Sequence, residues 1–325
     1  MKAVEIRDVD GARTLVPTEV PVPMLQPGEV RINVVAAGIN RADVQQVKGV
    51  YPPPPGASEL PGLEVSGTIA AVAPDVDIFH VGDEVVALLS GGGYAEQVTV
   101  PAGQVLHRPD NVELVDAAAI PEAVATVYSN IFMVADAQPG DTILIHGGAG
   151  GIGTTAIQVA RALGLTVIAT AGSPEKCQKC LDLGANLAIN YRDQDFVEEV
   201  RAFAEGRGVD VVLDVIGAKY LERNISVLAL GGRVVVVGLQ GGATAELNLG
   251  TLMTKRASII GTTLRSRPTE EKAEIMRQVR EVVWPLIESG ALVPQIDRTF
   301  PLDQAAQAHE YFNSGQHAGK VLLTV

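Results

Sequence analysis

The stretch His146-Gly147-Gly148-Ala149-Gly150-Gly151-Ile152-Gly153 decides how this chain is read. It ends the apolar, strand-like run Thr142–His146. It also opens a segment, Thr154–Leu163, that sets Ile157, Ala160 and Leu163 at helical spacing before Gly164, a natural helix stop. Within it, Gly148, Gly150 and Gly153 follow the spacing G-x-G-x-x-G. One glycine permits the tight turn, another lets backbone N–H groups approach a pyrophosphate, and the third lets helix and strand lie close. The helix N-terminus adds unsatisfied donors and a partial positive charge. Alone, such glycines read as a flexible loop; between a strand and a helix they predict a dinucleotide site.

Outward from the loop, the rhythm is strand, helix, strand. Apolar runs occur at Thr166–Ala171, Ala188–Asn190, Val209–Val215, Arg233–Val237 and Ser258–Thr263. They are continuously apolar rather than alternating, as strands are when helices cover both faces of a parallel sheet. A further helix is expected over Glu270–Ser289, with Ile275, Val279, Val282 and Leu286 on one face. Before about Asp116 the pattern differs. Short runs such as Glu29–Val35, Glu64–Val72, Glu84–Leu88 and Ala95–Val100 are broken by Pro and Gly, which suits an antiparallel, barrel-like domain. The final stretch returns to β runs, ending in Lys320–Val325. The fold class is therefore α/β: a doubly wound parallel Rossmann sheet over residues 121–265, inserted into a β-rich, barrel-like catalytic domain formed by 1–120 and 266–325.

Composition narrows the function. The 325 residues carry 25 Lys and Arg against 38 Asp and Glu, a net charge of −13, with no basic run, so nucleic acid is a poor default partner. Two cysteines cannot staple a chain of this length, and thiols this scarce fit a reducing compartment. Cys177-x-x-Cys180 has a metal-like spacing, but it lies on a predicted helix with no second pair, so structural thiols are expected. No metal site is expected: the five histidines show no paired ligand spacing. The N-terminus alternates polar and apolar residues and carries early acids, unlike a signal or transit peptide. Ala117–Ala135 is interrupted by Pro121, Glu122, Ser129 and Asn130, so no membrane span is expected. The reading is a soluble, cytoplasmic protein.

The second strand of the parallel sheet bears on the cofactor. Proteins preferring NAD end that strand in Asp or Glu, which bonds the ribose hydroxyls. Here it reads Ala169-Thr170-Ala171-Gly172-Ser173-Pro174-Glu175-Lys176, with no acid at its end. Ser173 and Lys176 are placed to hold a 2′-phosphate, which favours NADPH. Ser173 also reads as a helix N-cap with Pro174 at the first helical position, and both roles are compatible.

These residues resemble a known family, the zinc-free medium-chain dehydrogenases/reductases. More narrowly, the chain is similar to NADPH-dependent quinone oxidoreductases related to zeta-crystallin, of the tumour-suppressor-inducible type. The shared stretches are Asn40-Arg41-Ala42-Asp43, Tyr51 through Ser58, Ala117 through Ala123, Thr170 through Ser173 and Leu264 through Arg267. Where zinc-dependent relatives place a Cys and a Gly-His-Glu triplet, this chain has Ile39-Asn40 and Gly62-Leu63-Glu64. The resemblance implies a GroES-like catalytic domain and a homodimer, with the edge near Ser258–Leu264 as its seam. It implies that Asn40, Tyr51 and Thr126 lie near the nicotinamide and substrate. It places the pyrophosphate on Gly148, Ala149, Gly150, Gly151, Ile152 and Gly153, and the 2′-phosphate among Ser173, Lys176 and Tyr191. Ile216, Gly217, Leu239, Leu264, Arg265, Ser266 and Lys320 would close over the cofactor. His317 stands where relatives often have Asn.

Plainer roles compete for several of these. Tyr51 also reads as packing on Pro52–Pro55, Asn40 as a turn residue, Tyr191 as a strand end and Lys320 as a solvated charge. The expected reaction is hydride transfer from NADPH to a quinone. Reduction of an enone or enoyl thioester is the alternative, and a non-catalytic nucleotide- or RNA-binding protein the alternative of another class.

Overall fold

The computed structural model describes Met1–Val325 throughout and divides into two units, Met1–Ala125 with Leu264–Val325, and Thr126–Thr263. In chain order, the first unit contributes β1 (Lys2–Val9), β2 (Ala12–Glu19), β3 (Glu29–Gly38), β4 (Glu64–Val72), β5 (Glu84–Leu88), β6 (Gln97–Pro101) and β7 (Val105–His107). The second contributes β8 (Thr142–Ile145), β9 (Thr166–Ala171), β10 (Leu187–Asn190), β11 (Val209–Asp214), β12 (Leu228–Val236) and β13 (Ser258–Gly261). The chain then returns to the first with β14 (Ile296–Pro301) and β15 (Lys320–Thr324). Pro121 starts a helix, Pro121–Tyr128, that runs through the composition shift, so the division falls inside it, after Ala125. On the return, Leu264 and Arg265 already belong to the first unit and are buried.

In the first unit, β1 and β2 form a hairpin whose turn, Asp10-Gly11, takes positive φ at both residues (52° and 82°), the geometry that matches strand twist. A seven-stranded sheet runs β14-β15-β3-β4-β5-β7, with β6 also pairing β3. Its pairs are antiparallel except β14 with β15, which run parallel, so the sheet is mixed rather than wholly antiparallel. Val30, Ile32, Val65, Val85, Tyr94, Val321 and Leu323 meet in its core.

The second unit is one parallel sheet in the order β10-β9-β8-β11-β12-β13. That is the doubly wound Rossmann arrangement, whose strand order reverses beside β8, and ligands of such sheets bind at the carboxyl ends of strands where it reverses. Ile143, Leu144 and Ile145 of β8 are fully buried, as strands covered on both faces must be.

Two expected elements differ in detail. The helix expected over Glu270–Ser289 is two, Thr269–Val282 and Trp284–Glu288, because Pro285 cannot supply an interior helical N–H. Ala117–Ala135 is helical for most of its length and overlaps a stretch, Leu114–Val134, that is long and apolar enough by length and composition to cross a membrane. Of its most apolar window 78% is buried within the protein, as a core helix is.

Candidate active site

The glycine loop stands at the end of β8 and feeds the helix Gly151–Ala162. Its glycines answer to different constraints. A Cβ on Gly153 would stand 2.5 Å from Gly148 Cα and closer still to Gly147 O, both backbone. A Cβ on Gly148 would meet Ala169 Cβ at 2.8 Å and Cys180 Sγ at 2.9 Å. Gly150, by contrast, has nothing nearer than Gly147 O at 3.5 Å. Gly150 is the N-cap and no side chain caps the helix, so its first-turn N–H groups face outward from a bare backbone. Such a terminus fits an anionic pyrophosphate, and no side chain of the loop would have to move. Ile152 and Ala149 complete the turn.

At the end of β9, Ser173 Oγ accepts a hydrogen bond from Lys176 N at 3.3 Å and Pro174 takes the first helical position. Tyr191 N donates to Ala171 O at 3.1 Å. The Tyr191 hydroxyl lies over Gly172, 2.5 Å from where a Cβ would stand, and the residue is 44% exposed. Ser173, Lys176 and Tyr191 are thus gathered round one short turn. Cys177 and Cys180 lie on the helix Pro174–Asp182. Burial raises both thiols, Cys180 to about 12, so neither is a thiolate at neutral pH. At the end of β11, Ile216 N and Gly217 N donate to the Asp214 carboxylate at 2.7 and 3.1 Å. Gly217 needs its positive φ of 79°, and a Cβ there would stand 3.0 Å from Leu239 Cδ2. Thr126 is buried, its carbonyl accepting from Asn130 Nδ2 at 2.7 Å.

The first unit holds a buried polar cluster. Lys320 Nζ donates to Asn40 Oδ1 at 2.8 Å and Ile39 O at 3.3 Å, and pairs with the Glu64 carboxylate. Asn40 Nδ2 donates to Glu64 Oε1 at 2.9 Å, and Glu122 N donates to Glu64 Oε2 at 2.9 Å. Asp43 accepts from the backbone N–H groups of Asn40 and Gly62, at 2.8 and 2.9 Å, and burial raises its pKa to about 6. Burial, reinforced by Glu64, pushes Glu122 up to about 8. Lys320 is therefore no solvated charge: it is 4% exposed, and three protein acceptors match its three donors.

Beside this cluster, Arg265 directs its guanidinium at the Tyr51 segment. Nε donates to Ser90 O at 2.8 Å, Nη2 to Gln46 Oε1 at 2.8 Å and Nη1 to Tyr51 O at 3.4 Å, with the guanidinium 5.7 Å from the Tyr51 ring. Lys272 Nζ donates to Ser90 Oγ. Burial, then Glu122, raises the Tyr51 pKa, so its hydroxyl keeps its proton at neutral pH. Leu264 is buried and Ser266 exposed. The His317 ring stacks on Phe312 at 4.5 Å. Asp43, Glu122 and Lys272 escaped the sequence reading. The signal available was charge set among apolar neighbours, as at Glu122 after Ala117-Ala118-Ala119-Ile120-Pro121.

With this geometry in place, comparison with known proteins is specific. Residues 26–110 match the alcohol dehydrogenase GroES-like domain and 151–281 the zinc-binding dehydrogenase domain. The quinone oxidoreductase of Rattus norvegicus is 33% identical over 326 residues, covering 99% of this chain and 97% of the relative. The chain belongs to the medium-chain dehydrogenase/reductase family. It is an oxidoreductase of that family. The Escherichia coli quinone oxidoreductase complexed with NADPH superposes with TM-score 0.87 at 30% identity, covering 100% of both chains. The CurK enoyl reductase superposes with TM-score 0.83 at 28% identity, covering 99% and 98%.

The zinc of zinc-dependent relatives does not fit these residues. No three His, Cys, Asp or Glu side chains are grouped to hold a metal ion. Of the positions matching the zinc ligands, Asn40 offers an amide, Leu63 has no donor, and Glu64 is already paired with the Lys320 ammonium.

Proposed function

We propose that this oxidoreductase reduces quinones with NADPH, by hydride transfer and without zinc. The observation that carries the reading is the bare, uncapped glycine terminus at the end of β8, with Ser173, Lys176 and Tyr191 gathered at the end of β9 where an acid would select NAD. The quinone oxidoreductases among the relatives, one bound to NADPH, support it.

Bound NADPH supplies a hydride. The first-turn N–H groups of Gly151, Ile152 and Gly153 would hold its pyrophosphate, and Lys176 and Ser173 its 2′-phosphate. Tyr51, kept protonated by burial, holds a hydrogen at Oη that can bond an acceptor's oxygen. Quinone reduction leaves a stabilised oxyanion, so no strong general acid is required, and Tyr51 or water completes the proton count. Asn40 is oriented by Glu64 and Lys320, and Arg265 fixes the Tyr51 backbone. We also propose a homodimer through the edge of β13, which pairs only with β12.

A second reading, reduction of enoyl thioesters, is favoured by the likeness to the CurK enoyl reductase. Turnover of a panel of quinones and enoyl thioesters, each with NADPH and NADH, tests both. Faster quinone reduction with NADPH is expected. Faster thioester turnover would replace the substrate class, and equal use of NADH would overturn the cofactor assignment.

A further inference from the structure

His146 opens the glycine stretch, yet the function above gives it nothing to do. It is buried in the second unit, edge-on to the rings of Phe196 and Tyr220, each 4.9 Å away. Its Nδ1 lies 3.1 Å from Thr170 Oγ1 and its Nε2 2.8 Å from Asn224 Oδ1. We propose that His146 is a positioning residue which, with Thr170 and Asn224, fixes the glycine loop as a preorganised cradle for the pyrophosphate of a nicotinamide dinucleotide. This rests on the reading that such a nucleotide binds at the glycine loop.

The hydrogen-bond directions follow from chemistry. The Asn224 oxygen can only accept, so Nε2 carries the hydrogen, and the Thr170 hydroxyl donates to Nδ1. Burial keeps the ring neutral, with its pKa down to about 4, as one donor and one acceptor require. Having donated, Thr170 Oγ1 accepts from Gly147 N at 3.4 Å, and Thr170 O accepts from Gly148 N at 2.8 Å. Two successive amides of the glycine loop thus hang on one residue. At the other end the ring is held on the helix Leu221–Val227 through Asn224 Oδ1.

This chain of contacts ends on loop backbone at the carboxyl end of β8, where the strand order reverses. An apolar cluster of equal volume would serve the core at least as well, since buried polar groups contribute little net stability. What the polar chain adds is a defined geometry at the loop that a dinucleotide's pyrophosphate must touch, and preorganisation of that kind is felt as affinity.

The test uses Thr170→Val, which keeps side-chain shape and removes the hydroxyl, alongside His146→Phe and the restoring variant Thr170→Ser. Dissociation constants are measured for NADPH and for adenosine 2′-phosphate, which lacks both pyrophosphate and nicotinamide. In Thr170→Val and His146→Phe, NADPH is expected to weaken tenfold or more while adenosine 2′-phosphate stays within twofold. Thr170→Ser should return NADPH to within twofold of the wild-type value. If His146→Phe fails to fold, the Thr170 pair decides alone. Unchanged NADPH binding in Thr170→Val, or equal losses for both ligands, would overturn the inference while leaving the nucleotide site standing. A wild-type protein that binds neither NADPH nor NADH would remove that site, and this inference with it.

Discussion

Lys320 Nζ stands 2.8 Å from Asn40 Oδ1 and pairs with Glu64, so the last strand carries an ammonium into the buried interior of the first unit. Removing one partner of such a pair leaves an uncompensated buried charge, which costs about 3–5 kcal/mol. Lys320→Met is therefore expected to lower unfolding stability by that order in urea titrations. The double variant Lys320→Met/Glu64→Gln should recover part of the loss, because no charge is then stranded. A single variant as stable as wild type would show that the ammonium is not needed there.

Glu122 predicts a pH dependence of definite sign. Burial and Glu64 lift its folded pKa to about 8 from an ordinary 4.5, so between these values the native carboxyl keeps a proton that the unfolded chain has released. Its contribution to stability is complete below pH 4.5 and is lost as pH rises through 8. Asp43 and Asp214, each raised to about 6, act in the same direction at lower pH. His146 and His309, each lowered to about 4, act oppositely on acidification. Glu122→Gln isolates the effect. Its stability relative to wild type should climb between pH 5 and 8, by at most about 1.4 kcal/mol per pH unit, then level off. A difference that does not change with pH would mean that Glu122 is ionised in the native state.

How far the sequence discloses all this depends on the range of the interactions. The parallel sheet is legible because strands buried on both faces read as unbroken apolar runs. β12 is understated, as Arg233–Val237 against Leu228–Val236, because Gly231-Gly232 interrupts its apolar run. The glycine loop is legible because its constraint is local: Gly153 meets Gly147 and Gly148, a few residues away. The ion cluster is not, since Lys320 and Glu64 lie 256 residues apart and no spacing announces their meeting. Lys320 accordingly reads as a surface charge or a cofactor ligand until β15 is seen beside β3. The His146 chain fails for the same reason: Asn224 is 78 residues away, on the helix Leu221–Val227.

The glycines of the loop should respond unequally to alanine. At Gly153 the new methyl collides with backbone at Gly147 and Gly148, which cannot swing aside, so helix and strand must part. Gly153→Ala is expected to lower the melting temperature and abolish any further rise on adding NADPH. Gly150→Ala places its methyl no nearer than ordinary van der Waals contact, 3.5 Å from Gly147 O, at a φ of −80°, which alanine accepts, so stability without nucleotide should change by no more than about 0.5 kcal/mol. Equal melting losses for the two variants would show that the close approach at Gly153 is not what constrains the loop.

Ser173 and Lys176 share one turn but should fail differently. Ser173 Oγ caps the helix Pro174–Asp182 by accepting from Lys176 N, so Ser173→Ala is expected to cost about 1 kcal/mol of stability without nucleotide. The Lys176 cap bond uses its backbone, so Lys176→Ala leaves the cap intact and removes only the ammonium. If that ammonium meets a 2′-phosphate, Lys176→Ala should weaken NADPH about tenfold or more, the loss of a charge-assisted bond, and NADH less than twofold. Titrating both nucleotides against both variants separates the two effects. Equal losses of NADPH and NADH in Lys176→Ala would put the 2′-phosphate elsewhere, while a Ser173→Ala protein as stable as wild type would show that Pro174 alone starts the helix.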